Sequence, residues 1–248
     1  PQPIMIKSII NFYNKTQTTE KYYLILISFF PISLILGNLS INLTLFLIFF
    51  IFIFDLFFSK NFFFVKDKIF KLLILFFLSL LINLFFSLEP FISLPRVFKI
   101  LEIIVLVIVL KKIVNKYQSE FESLILGFWS IIFSILVLDI IFEMIFGFNT
   151  LGFKSYYPGR IASFFGDELV VGSFFVGFCS IFFVRISQFF KKNKNVKLVF
   201  LLLFLIILSF LIGERSNFIK FFIISIFLFV FVIKINFKIK LAGTLIVF

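Results

Sequence analysis

The stretch Tyr156-Tyr-Pro-Gly-Arg160-Ile-Ala-Ser-Phe-Phe-Gly166-Asp167-Glu168-Leu-Val-Val-Gly172-Ser173 sets one arginine and two carboxylates among glycines, between two long apolar runs. A guanidinium forks onto phosphate oxygens, a carboxylate takes up a proton, and glycine lets a ligand or a second backbone come close. Two further arginines, Arg96 and Arg215, stand in breaks at 88–96 and 213–217. As a set, Arg96, Arg160 and Arg215 suit a diffuse anion such as a lipid-linked diphosphate. The alternative is three interfacial arginines that reach to headgroups.

The acids are read in the same two ways. Asp139 and Glu143 lie four residues apart, so on a helix both carboxylates point to one side, as a base and its orienting partner or as a cation site. Otherwise they are a polar exit from the membrane paired with an arginine. Asp167 and Glu168 precede an apolar run, where Asp is a favoured N-cap and an acid in the first turn complements the helix dipole. Arg160 upstream and the small Gly172 and Ser173 downstream are what add a functional reading. Arg96, Lys99 and Glu102 recur every three residues near one helical face, and Glu214-Arg215-Ser216 reads as a tight turn in which Ser216 caps the next helix and the Glu-Arg pair neutralises itself.

These residues must be positioned by membrane helices. Hydrophobic residues make up 62% of the chain and mean hydropathy is +1.22, with uncharged runs such as 43–54, 72–88 and 198–213 that a soluble surface does not contain. The 47 phenylalanines have no fixed period and are read as lipid-facing and helix-packing bulk. The net charge of +12 comes largely from lysines in short loops, as orientation determinants do, so no nucleic-acid partner is expected. A single cysteine, Cys179, and no histidine mean that no disulfide, metal centre or histidine base is expected, and no cofactor either.

Five clusters of basic residues, around 7–21, 60–71, 111–116, 185–197 and 234–240, hold 18 of the 24 Lys and Arg and are taken as cytoplasmic. Two apolar runs fall between each pair of clusters: 22–37 and 41–58, 69–88 and 96–110, 123–148 and 169–184, 198–213 and 216–233. The expectation is an all-α, polytopic transmembrane bundle of about eight complete spans with a ninth starting near Leu241. Residues 1–248 form a single transmembrane domain, the N-terminus is inside, and the loop 149–168 is outside. Because the chain opens on Pro1 and stops within a new apolar run, it is read as a C-terminally truncated fragment.

The acid-bearing fifth span, the loop Gly159-Arg-Ile-Ala-Ser-Phe-Phe-Gly-Asp-Glu-Leu-Val-Val-Gly172 and the later turn Gly213-Glu-Arg-Ser216 resemble the O-antigen polymerase and ligase family of bacterial envelope proteins. The local likeness covers roughly a third of the chain, and its short motifs are of moderate specificity. The resemblance implies an inner-membrane glycosyltransferase that works at the periplasmic face. Its donor would be an undecaprenyl-diphosphate-linked oligosaccharide, its setting the lipid bilayer, and its neighbours other polysaccharide-assembly proteins. On the family's pattern Arg160 and Arg215 would hold the diphosphate; Arg96 joins them as a diphosphate candidate from the set of three arginines alone. Family members carry a large periplasmic loop further toward the C-terminus, where ligases place a functional histidine, and this chain holds neither.

The chemistry also follows from the residue types. Transfer of a glycan from a lipid diphosphate to a sugar hydroxyl needs cations for the leaving group and a base for the hydroxyl. Glu168 is the favoured base, followed by Asp167 and Glu143. A transporter or flippase for lipid-linked sugars would use the same groups for binding alone, with paired repeats or broken helices at mid-membrane. A non-catalytic membrane scaffold would tolerate their loss one at a time.

Overall fold

The computed structural model describes residues 18–59, 63–166, 170–190 and 193–233. Among them the regular structure is helical, with no strand. The chain packs as two compact units, Pro1–Ile125 and Leu126–Phe248.

In the first unit, α1 (Thr18–Ile35) turns through Gly37, whose φ of +92° suits a residue without a Cβ, into α2 (Asn38–Ser59). The next helix, α3 (Lys68–Phe85), starts at Asp67, whose carboxylate accepts the Ile69 N–H at 3.0 Å as an N-cap. The fourth, α4 (Pro90–Lys116), begins six residues before the predicted run. Pro90 occupies the first helical position, where a missing N–H costs nothing. Arg96, Lys99 and Glu102 therefore ride inside a helix, and the Lys99 ammonium donates to the Asn42 side chain on α2. Helices α1 and α2 pack on each other and on α4, around Tyr23, Ile27, Ile48, Ile108 and Ile113; α3 packs on α4 but buries none of its residues.

The C-terminal end of α4 is tied to three different segments. Lys111 pairs with Asp67, Lys112 with Asp55 at 3.0 Å, and Lys116 with both oxygens of Glu20 at 2.8 Å, where the Tyr117 hydroxyl also donates. Burial alone would raise the Glu20 carboxyl, but the hydrogen bonds from Lys116 and Tyr117, with the Lys116 and Lys112 charges, hold it below the ordinary glutamate range.

The second unit holds α5 (Leu126–Phe146), α6 (Val171–Phe189), α7 (Lys194–Leu211) and α8 (Arg215–Phe231). Helix α6 is central, packing on the other three. Phenylalanines fill its contacts: Phe133 of α5 meets Phe175 and Phe182, and Phe175 meets Phe221 of α8 edge-on at 5.4 Å. Some of the phenylalanine bulk is thus core, while Phe200, Phe210 and Phe231 remain exposed.

Among the described residues, five segments are long and apolar enough to cross a membrane by length and composition: Asn38–Phe58, Lys68–Phe85, Gln118–Phe146, Val171–Phe189 and Lys194–Leu211. Of the other three predicted spans, α4 carries charge from Arg96 to Lys116, α1 opens on Glu20 and Lys21, and α8 has 17 residues. The expected ninth start near Leu241 lies outside the described residues.

Candidate functional site

At one end of the second unit, the connection from α5 to α6 folds back over the last turns of α5. Asp139 and Glu143 do share one face, as their spacing requires, and both are buried, at 1% and 6% exposure. What they face is main chain. Glu143 accepts the Ala162 N–H at 3.1 Å with one oxygen and the Ser163 N–H at 2.6 Å with the other. Asp139 accepts the Thr150 N–H at 2.8 Å, the Thr150 hydroxyl at 2.6 Å and the Ser163 hydroxyl at 2.6 Å. Asn149 donates to the Ser163 carbonyl and accepts the N–H groups of Leu151 and Phe153. Every polar group of Ser163 is therefore held, and it sits at φ +48°, a left-handed conformation that a non-glycine residue keeps only when its surroundings impose it.

That anchoring delivers the next segment to the α7–α8 turn. The Ile161 N–H donates to the Ile212 carbonyl at 3.2 Å. Gly213, at φ +84°, lies so close that a Cβ there would meet the Gly159 carbonyl oxygen at 2.4 Å. Only glycine satisfies both the dihedral and the approach.

The acid of that turn reaches α6. Glu214 is buried and accepts the Gly172 N–H at 2.8 Å and the Asn217 side-chain amide, which also donates to the Ser173 hydroxyl at 3.1 Å. A Cβ on Gly172 would stand 2.7 Å from the Glu214 carboxylate, so the glycine makes room for it. The cap expected from sequence, Asp167, lies outside the described residues. Helix α6 starts at Val171 after Val170, which has no capping side chain, and Glu214 supplies the acceptor from another segment. Helix α8 starts at Arg215 after Glu214, so Ser216 lies inside its first turn and is not the cap. Glu214 and Arg215 form no ion pair; the carboxylate turns toward Gly172 and Asn217.

Between loop and turn lies a cleft of about 710 Å³, lined by Pro158–Arg160, Ser173, Gly213–Asn217 and Lys220. Among the described residues its cations are Arg160, Arg215 and Lys220, and its carboxylate is Glu214, whose oxygens are already taken. The Arg160 guanidinium lies 5.8 Å from the centre of the Tyr157 ring. The N–H groups of the first turn of α8 add a partial positive charge. The arrangement suits an oxyanion with more than one charged group.

Of the residues singled out from sequence, Arg160 and Arg215 share this cleft. Arg96 is exposed on α4 in the first unit. Glu143 is beneath the loop, and Asp167 and Glu168 lie outside the described residues. Lys220 was passed over as a cleft residue, although a lone lysine inside the run 216–233 is itself a signal. The pairing of Glu214 with Gly172 had no sequence signal.

Comparison with known proteins finds no matching family model, curated protein or solved structure. Helices and cleft define a class: a protein that is all-helical among the described residues, where five helices are long and apolar enough to cross a membrane, with a cation-lined cleft at one end of its second unit.

Proposed function

We propose that this protein is a multi-pass glycosyltransferase of the bacterial inner membrane that polymerises or ligates oligosaccharide units carried on undecaprenyl diphosphate, at the periplasmic face, in the manner of the O-antigen polymerase and ligase family. The observation that supports it is the meeting of Arg160 and Arg215, far apart in sequence, in one cleft of about 710 Å³.

In the reaction an acceptor sugar hydroxyl attacks the anomeric carbon of the donor glycan. The bond from that carbon to the diphosphate oxygen breaks, and its electron pair stays on the diphosphate. Arg160 and Arg215 stabilise that developing charge, and a carboxylate takes the hydroxyl proton. Glu168 is proposed as this base, with Asp167 beside it. Glu143 is the weaker choice, because both of its oxygens already accept main-chain N–H groups.

The test is polymer formation in cells that depend on this protein. Arg160→Ala and Arg215→Ala should each reduce it by about 100-fold or more at unchanged protein abundance, as expected when a donor to a developing oxyanion is removed. Lys at either position should restore only part, since a point charge does not reproduce the fork. Normal polymer from both alanine variants would remove the diphosphate site.

A further inference from the structure

We propose that Lys220 is the residue by which this cleft tells a diphosphate from a single phosphate. The inference rests on the reading of the cleft as a diphosphate-lipid site and extends it to a selectivity that the two arginines alone do not provide.

Lys220 interrupts the apolar run Phe218-Ile-Lys220-Phe-Phe-Ile-Ile224. A charge inside such a run is expensive and is characteristically turned toward a polar cavity or a partner. Here it lines the cleft with Arg160 and Arg215. It stands five residues beyond Arg215 on α8, roughly 7.5 Å further along the helix axis at ~1.5 Å per residue. The two cations therefore address different levels of the cleft wall.

Among the described residues no carboxylate pairs with it. The Lys220 ammonium lies 3.4 Å from the Asn217 side-chain oxygen, a long contact to a neutral group that orients the amine without neutralising it. The Asn217 amide nitrogen is engaged by Glu214 and Ser173, which fixes that oxygen toward the lysine. Glu214, the carboxylate among the described lining residues, is buried against the Gly172 N–H. No ion pair among the described residues involves Arg160, Arg215 or Lys220.

Among the described lining residues, Arg160, Arg215 and Lys220 present cations at more than one level of the wall. A diphosphate carries negative charge on each of two phosphorus centres and so engages cations at both levels. A single phosphate, although a monoester carries nearly two negative charges at neutral pH, places them on one phosphorus centre and leaves Lys220 unmatched. Arg160 and Arg215 hold one phosphate by their forks, and Lys220 takes the other as a compact point charge.

The experiment measures binding to the full chain in nanodiscs of neutral lipid, with undecaprenyl diphosphate, undecaprenyl monophosphate and inorganic pyrophosphate as probes. The wild type should bind the diphosphate lipid about tenfold or more tightly than the monophosphate, the scale of one charge-assisted contact. Lys220→Gln should abolish that preference and leave monophosphate affinity unchanged. Lys220→Arg should keep it. Lys220 is exposed, and Lys220→Met, compatible with an apolar wall, should repeat the Gln result if the Gln variant is unstable. Strong competition by pyrophosphate, lost in Lys220→Gln, would uphold the assignment while pointing to a soluble diphosphate as the source. If Lys220→Gln keeps the full preference, or weakens both lipids equally, the inference falls and the arginine reading stands. If the wild type binds neither lipid nor pyrophosphate, both fall together.

Discussion

Two glycines do the work of bringing the candidate site together, and a third serves as their control. Gly213 combines φ +84° with a backbone carbonyl 2.4 Å from where its Cβ would be, and Gly172 leaves space for the Glu214 carboxylate at 2.7 Å. Gly177, in the same helix as Gly172, has nothing within 4 Å of its would-be Cβ. Alanine at 213 should therefore cost several kcal/mol, because strain and a clash with main chain add, each being on the order of 1–3 kcal/mol. Alanine at 177 should be neutral or stabilise by up to ~1 kcal/mol through helix propensity. Thermal melting in detergent checks the order; equal melting temperatures for Gly213→Ala and Gly177→Ala would mean that loop and turn do not meet as described.

At the scale of elements, the acid pair on α5 holds the loop that carries Arg160. Glutamine at 143 presents one acceptor and one donor where the loop presents two donors, leaving a buried N–H unsatisfied at a cost of about 1–3 kcal/mol. Amide exchange at Ala162 and Ser163 should speed up in Glu143→Gln. Unchanged protection with lost activity would instead make Glu143 a base. The end of α4 offers a second element-scale test, at Glu20. Its carboxyl is held below the ordinary value, so the stability it contributes is fully present above about pH 4.3 and is lost as pH falls through the depressed value. The wild type should melt above Glu20→Gln at neutral pH, and the gap should close only under acid. A gap that widens on acidification would reverse the sign of the linkage.

At the scale of the whole molecule, orientation follows from where the basic residues lie. Lys111, Lys112 and Lys116 all meet carboxylates, yet orientation responds to Lys and Arg near the span ends and little to acids, so the expected arrangement stands on its original grounds. Cysteine in place of the exposed Lys154 should react with an impermeant thiol reagent in intact spheroplasts, and cysteine at Asn193 should not. Native Cys179 is buried and should add little background. Reversed labelling would place the cleft on the cytoplasmic side, where a glycan-polymerising role does not fit.

Helix positions were legible in the chain because hydropathy and breaks are local: α2, α3, α7 and α8 begin and end within a few residues of the apolar runs that announced them. The shared face of Asp139 and Glu143 was legible too, since four residues make about one helical turn. What these acids face was not. Helices that are apolar all round carry no stripe to say which side meets a neighbour, because lipid tails accept the same side chains as a core does. Tertiary structure alone therefore decided that Glu214 would serve Gly172 in another helix, that the lysines of α4 would find Asp67, Asp55 and Glu20, and that Arg160, Arg215 and Lys220 would line one cleft. Each of these depends on which segments touch, and in a chain of this composition that is set by packing rather than by any pattern along the sequence.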